Sequence, residues 1–284
     1  MATEKIVVGV DDSAVARHTL AWAMDEAELR SASLVAVHSY HYPWAPAPVG
    51  YMPGPTSIDE LGVEARARVD GVIEDVMKTG GWTHDPEAVV RFGPRPAAEL
   101  CDEAKDASML VVGQRGSGGF LGLRLGSVSE GCLHHAPTTV VIVPEESAEL
   151  GPPKRITVGV DGSDQSIAAV QWAADEGRRH GVAVVALMTW NWLGPPLREI
   201  QPVAGWDESK AAAFLDTTLA RAECESMERE VVNGPPARSL IERSATGDLV
   251  VVGANGASTA RGVLAGSVSR QLAHHAVAPI VIVR

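Results

Sequence analysis

The stretch GQRGSGGFLGLRLGSVS, residues 113–129, has a second version in the same chain, GANGASTARGVLAGSVS, residues 253–269. Both follow one plan: a glycine, two residues, a glycine, nine residues, then Gly-Ser. The fixed positions are Gly113, Gly116 and Gly126-Ser127 in the first copy and Gly253, Gly256 and Gly266-Ser267 in the second. An apolar run comes immediately before each, at 109–112 and 249–252, as expected of a buried parallel strand. After each Gly-Ser pair there is room for about two turns of helix, with Ser127 or Ser267 expected at the N-cap. The plan is strand, glycine loop, helix. Glycine lets the main chain turn through positive φ and approach a ligand closely, and the N–H groups and dipole of a helix start attract an anion. A phosphate cradle is the expectation. The alternative, less favoured even for one copy, is a glycine-rich surface turn that binds nothing; two copies at one spacing argue further against it.

Outward from the loops, the repetition covers the chain. Ile6-Val-Val-Gly-Val-Asp-Asp-Ser13 matches Ile156-Thr-Val-Gly-Val-Asp-Gly-Ser163 at an offset of 150, whereas the glycine loops match at 140, so one insertion lies after the second strand. The expected organisation is a first domain at 1–146, a linker at 147–154 and a second domain at 155–284. Within the first half, strands are expected at 6–10, 34–39, 88–92, 109–112 and 139–143, alternating with helices at 14–30, 58–79, 97–106 and after the glycine loop. Alternation of this kind predicts an α/β fold: two tandem doubly wound domains, each with a five-stranded parallel sheet and right-handed crossovers. Ligands in such sheets sit beyond the carboxyl ends of the strands.

The loop spacing resembles the signature of the universal stress protein family in its ATP-binding branch. The resemblance implies an adenine nucleotide alpha hydrolase-like fold with strand order 3-2-1-4-5. It also implies ATP or ADP as ligand, with or without Mg²⁺, and a nucleotide-dependent regulatory role in the stress response. It places the adenine against main-chain groups at the end of the second strand, which map onto Ser39 and Thr189. Other nucleotide signatures fit less well, since no Gly-Lys pair exists for a P-loop and Leu121 stands where a dinucleotide fingerprint needs glycine.

The candidate site residues follow the two copies. Asp11 and Asp161 end the first strands and suit ribose hydroxyls, although an Asp and a Ser before a helix are also ordinary caps, which accounts equally well for Ser13 and Ser163. Gly9 and Gly159, inside those strands, mark a close approach, with the base as the expected neighbour. The loops contribute Gly113, Arg115, Gly116, Ser117, Gly118, Gly126, Ser127, Val128 and Ser129 in the first copy. In the second they contribute Gly253, Asn255, Gly256, Ala257, Gly266, Ser267, Val268 and Ser269. The serines are expected to donate to phosphate. Arg115 and Arg124 favour the first copy as the stronger phosphate site, the second having Asn255 and Arg261.

The remaining features bound the function. A net charge of -12 excludes a general nucleic-acid surface. Cys101, Cys132 and Cys224 lack metal-ligand spacing and read as reduced thiols. Neither a charged-then-apolar leader nor a long apolar span is present, so no membrane is expected and the cytoplasm is the expected location. The pairs His134-His135 and His274-His275 suit helix C-termini better than a metal, because neighbours in sequence do not share a helical face. The proline- and aromatic-rich stretches 40–56 and 190–206 serve either as lids or as covering. A homodimer and an unidentified regulatory protein are the expected partners. The alternatives are an ATPase or phosphotransferase, weak at most because the loops bring no lysine and no base beyond Asp11, and a nucleotide-free dimerisation scaffold. A phosphoacceptor receiver domain lacks its aspartate and lysine, since Phe92-Gly93 and Val143-Pro144 stand in those places.

Overall fold

A computed structural model of the chain describes residues 4–41, 57–116, 124–190, 207–256 and 265–284. The stretches 42–56 and 191–206, with Ser117, Gly118, Ala257 and Arg261, lie outside the described residues. Contacts divide the chain into two compact units, Met1–Thr138 and Thr139–Arg284.

The first unit alternates β1 (Lys5–Gly9), α1 (Ala14–Arg30), β2 (Ser33–Tyr40), α2 (Ile58–Met77), β3 (Glu87–Phe92), α3 (Pro96–Glu103), β4 (Met109–Gly113) and α4 (Ser127–His135). Its strands are parallel in the order β3-β2-β1-β4. Ile6, Val7 and Val8 of β1, and Leu110 and Val111 of β4, are fully buried, as central strands covered on both faces require. Ser13 caps α1, its hydroxyl accepting the Ala16 N–H at 3.1 Å, and Ser31 ends that helix in the left-handed conformation with φ 52°. The hydrophobic stripe of α2 falls on Ala65, Val69, Val72 and Val76, all buried.

The second unit opens with β5 (Thr139–Val143), the fifth strand of the first repeat in sequence. A 3₁₀ turn over Glu145–Glu149 follows, then β6 (Ile156–Gly159), α5 (Asp164–His180), β7 (Val184–Trp190), α6 (Glu208–Arg221), β8 (Glu228–Asn233), α7 (Pro236–Ser244), β9 (Leu249–Gly253), α8 (Ser267–His275) and β10 (Ile280–Val283). Its parallel strands run β8-β7-β6-β9-β10, the order 3-2-1-4-5 of the resemblance in full. On its other side β10 pairs antiparallel with β5, Ile280 opposite Ile142 and Ile282 opposite Val140. The ten-residue difference falls after the second strand but not as one insertion, since nine residues are gone by β3 and β8 and the tenth only by β4 and β9, whose starts Met109 and Leu249 differ by 140. Tyr40 and Trp190 end β2 and β7 and differ by 150, while Glu87 and Glu228 begin β3 and β8 and differ by 141. Among the described residues, no helix is long and apolar enough to cross a membrane. None of the three cysteines is in a disulfide; Cys101 and Cys132 are buried and Cys224 half-buried. Both histidine pairs lie in the last turns of α4 and α8.

One ion-pair strut ties β1 and β3 to α3. Glu103 accepts from Lys5 Nζ at 3.0 Å and from Arg91 Nη2 at 2.5 Å. Burial pushes the pKa of this carboxyl up, but the two cations outweigh it and hold Glu103 below the usual carboxylate range. A carboxyl depressed in the folded state stabilises above its unfolded value and loses that contribution as pH falls through the folded value. Glu103→Gln is therefore expected to lower the urea midpoint at neutral pH, by an amount that shrinks steadily as pH falls below the ordinary Glu value of about 4.3 toward the lower folded value. A deficit that persisted undiminished in acid would show that the ion pairs are not its cause.

Candidate functional site

The site begins where β1 ends. Asp11 Oδ1 accepts from the Ser13 N–H at 3.0 Å and from the Ser13 hydroxyl at 2.5 Å. In the second unit Asp161 Oδ1 accepts from the Ser163 N–H at 3.1 Å, while Ser163 Oγ accepts the Ser166 N–H and caps α5. Ser13 and Ser163 are thus caps, and each aspartate is fixed by the cap through one oxygen. The other oxygen faces the glycine loop. A Cβ built on Gly116 would overlap Asp11 Oδ2, and one built on Gly256 would overlap Asp161 Oδ2. The sequence-predicted aspartate and glycine are therefore in contact in both repeats.

These loop glycines are needed for room. None of Gly113, Gly116, Gly126, Gly253, Gly256 and Gly266 is among the positive-φ residues, so the expected turn through positive φ does not occur at them. A Cβ on Gly113 would lie 2.9 Å from Val15 Cγ1 and 3.0 Å from Thr19 Oγ1, so this glycine lets α1 pack against the loop. Gly9 and Gly159 also differ from expectation in their neighbours. Their missing Cβ makes room for Leu100 of α3, at 3.0 Å, and for Leu240 of α7, at 2.9 Å.

The helix after the loop starts at Ser127, and its N-cap is Gly126 with φ −76° and ψ 154°; Ser267 and Gly266 correspond. This corrects the cap by one residue. No side chain caps either helix, so the first-turn N–H groups, which have no acceptor within a helix, are left to the space in front. Gly126 N–H donates to Gln114 O at 2.8 Å and Gly266 N–H to Ala254 O at 2.7 Å, which closes the loops on themselves. Ser127 and Ser267 are exposed and Val128 and Val268 half-buried. Ser129 and Ser269 are buried, and their hydroxyl protons already go to main chain: Ser129 Oγ donates to Gly113 O at 2.6 Å, and Ser269 Oγ to Gly266 O at 3.0 Å and Ala254 O at 3.1 Å. A hydroxyl has one proton. These two serines therefore clip the helix to the loop and have none left for phosphate.

In the first unit these parts enclose a cleft of about 560 Å³, the size of a small-molecule site. Its apolar floor is Val10, Val37, Leu100 and Val112; Gly9, Asp11, Asp12, Gly113, Gly116 and Gly126 to Ser129 also line it, together with Arg68 and Arg115. Arg124 is exposed and outside this lining. Ser39 lines the cleft, and its hydroxyl oxygen is buried with no partner among the described residues. A bound polar ligand would satisfy it. His38 and Arg68 are lining residues that sequence reasoning missed. His38 Nδ1 lies 2.7 Å from Val10 O, and because a carbonyl only accepts, Nδ1 carries the proton. Repeat comparison gave no signal for His38, since its counterpart is Met188. In the second unit Thr189 lies near the end of β7 opposite Val232, and Asn255 enters the loop after β9.

The Universal stress protein family profile matches residues 2–144 and again 152–284. A universal stress protein of Mycobacterium tuberculosis is 35% identical over 291 residues, covering 98% of this chain and 96% of the relative. One from Mycolicibacterium smegmatis is 34% identical with the same coverage. The solved universal stress protein from Archaeoglobus fulgidus DSM 4304 shares the fold, with a TM-score of 0.66 at 17% identity over 100% of this chain and 99% of that one. With the profile satisfied twice, the strand order in place and the Asp–Gly contact made in both repeats, this chain belongs to the universal stress protein family.

Proposed function

We propose that the first-repeat cleft binds an adenine nucleotide, ATP by preference, and that the protein is a nucleotide-dependent regulator in the stress response. In this reading residues 1–146 and 155–284 are two modules of one design. The observation that carries it is the convergence, at the carboxyl ends of β1 and β4, of a pinned carboxylate, a glycine loop pressed against it and an uncapped helix start. Each part has a task. Asp11 accepts from ribose hydroxyls, the main chain at Gly116 and the amides of Ser127 to Ser129 receive phosphate, and Arg115 and Arg68 supply positive charge to a chain of net charge -12. The apolar floor takes the base, beside the unpartnered Ser39 hydroxyl. ATP, with Mg²⁺ as counter-ion, would bring a terminal phosphate whose presence or loss the loop reads. A homodimer, a protein partner that senses this state and a cytoplasmic location complete the proposal.

The test is to denature the purified protein and identify any released nucleotide by chromatography, then to titrate the emptied chain with ATP and with adenosine. Arg115→Ala is expected to weaken ATP roughly tenfold, one charge-assisted hydrogen bond at about 1.5 kcal/mol, and to leave adenosine unchanged. Equal losses for both ligands would show that the arginine does not meet phosphate. No binding of either ligand would remove the nucleotide reading.

A further inference from the structure

The two repeats share their loop spacing but not what occupies the loop. In the second unit the side-chain carbonyl of Gln165, in the first turn of α5, accepts the main-chain N–H of Asn255, the residue between Gly253 and Gly256. Gln165 is seated there by more than that bond. A Cβ on Gly253 would lie 3.0 Å from the Gln165 Cβ and from its main-chain carbon and oxygen, so the helix start and the loop are in full contact. The matching residue of the first repeat, at the offset of 150, is Val15, whose side chain has no acceptor.

Two further differences, each the loss of a cation, point the same way. Asn255 replaces Arg115, and its Oδ1 is buried with no partner among the described residues. An Asn carboxamide is neutral, so the positive charge that Arg115 brings to the first loop has no counterpart here. Gly162, with φ +81°, replaces Asp12, and the ring of Phe214 sits where its Cβ would be. Phe214 in turn holds the place of Arg68, because the buried stripe Ala211, Leu215, Thr218, Ala222 matches Ala65, Val69, Val72, Val76. The second repeat has exchanged cations for an apolar ring and an amide oxygen.

We infer that Gln165 closes the second repeat's glycine loop against phosphate, so that a polyphosphate tail is held by the first repeat alone and the second accepts only an adenosine-like ligand without one. This rests on the nucleotide reading above. An N–H makes one good hydrogen bond, and a phosphate oxygen must displace the Gln165 carboxamide to receive it. Loss of one charge-assisted bond weakens binding roughly tenfold or more.

The experiment is calorimetric titration of the full chain, emptied of nucleotide, with ATP and separately with adenosine. The wild type is expected to bind one ATP per chain. Gln165→Val is expected to bind two, and Val15→Gln to lose ATP at the first repeat. Gln165→Ala serves as a second opening variant if valine perturbs the helix start. Two ATP sites of equal affinity in the wild type would overturn the inference while keeping the nucleotide reading. A single ATP site that persists in both Gln165 variants, with their folds intact, would overturn the role of Gln165. A wild type that binds neither ATP nor adenosine would remove the nucleotide reading itself, and this inference with it.

Discussion

Gly116→Ala is expected to weaken ATP at the first repeat by about a hundredfold, the equivalent of about 2.7 kcal/mol, while the protein stays folded. The added methyl overlaps Asp11 Oδ2. Asp11 cannot swing aside cheaply, because its other oxygen holds the Ser13 N–H and hydroxyl, and Ser13 caps α1. Moving the carboxylate would uncap a 17-residue helix at a cost of roughly 1 kcal/mol. The loop yields more easily, since the Gly126 N–H bond to Gln114 O near this point closes the loop on itself and does not anchor it to β1 or α1. Once it moves, its amides lose register with those of the helix start, and two charge-assisted hydrogen bonds at about 1.5 kcal/mol each account for the effect. Titration calorimetry and a thermal melt on the same sample check it. Unchanged affinity with an unchanged melt would show that the loop is not the phosphate site.

The largest effect on stability is expected at Asp248→Ala, about 3 to 5 kcal/mol for the second unit, the range for breaking a buried pair from one side. Asp248 is only 3% exposed. One of its oxygens accepts from Thr157 Oγ1 at 2.7 Å and Arg155 Nε at 3.0 Å, and the other from Thr246 Oγ1 at 3.3 Å. It thereby ties the start of β6 to the start of β9. Alanine leaves the fully buried Thr157 hydroxyl without its acceptor and the Arg155 guanidinium without its counter-charge. Asp248→Asn keeps an acceptor for Thr157 and is expected to lose less. Urea unfolding followed by two probes, one for each unit, separates this transition from that of the first unit. Equal stability of the alanine and asparagine variants would contradict the argument from the orphaned hydroxyl.

The parts of this molecule that repeat could be read from its sequence. The twofold glycine spacing, the Asp-x-Ser ends of β1 and β6 and the unbroken apolar runs of β4 and β9 led directly to the alternation of strands and helices, while the strand order that brings Asp11 against Gly116 came only with the family resemblance. Parts that depend on which atom fills a space were hidden. Gly9 looks like a ligand contact until Leu100, about 90 residues away, is seen to occupy the room. Ser129 looks like a phosphate donor until its proton is traced to Gly113 O. Ser127 has the composition of an N-cap, yet the dihedral angles give that position to Gly126, because the Gly126 N–H turns back to Gln114. Gln165 carries no motif at all; its contact with Asn255 spans 90 positions and exists only in the folded repeat.

The antiparallel pairing of β10 with β5 bears on solubility. A strand such as Ile280-Val-Ile-Val283, with hydrogen-bonding groups bare along one side, is a template on which another molecule can add a strand and begin a fibril or a swapped dimer. β10 is flanked by β9 on one side and β5 on the other, so no such side is bare. A segment of the first repeat thus acts as a guard for this apolar strand of the second. Any association between copies of this chain must therefore use a surface other than β10.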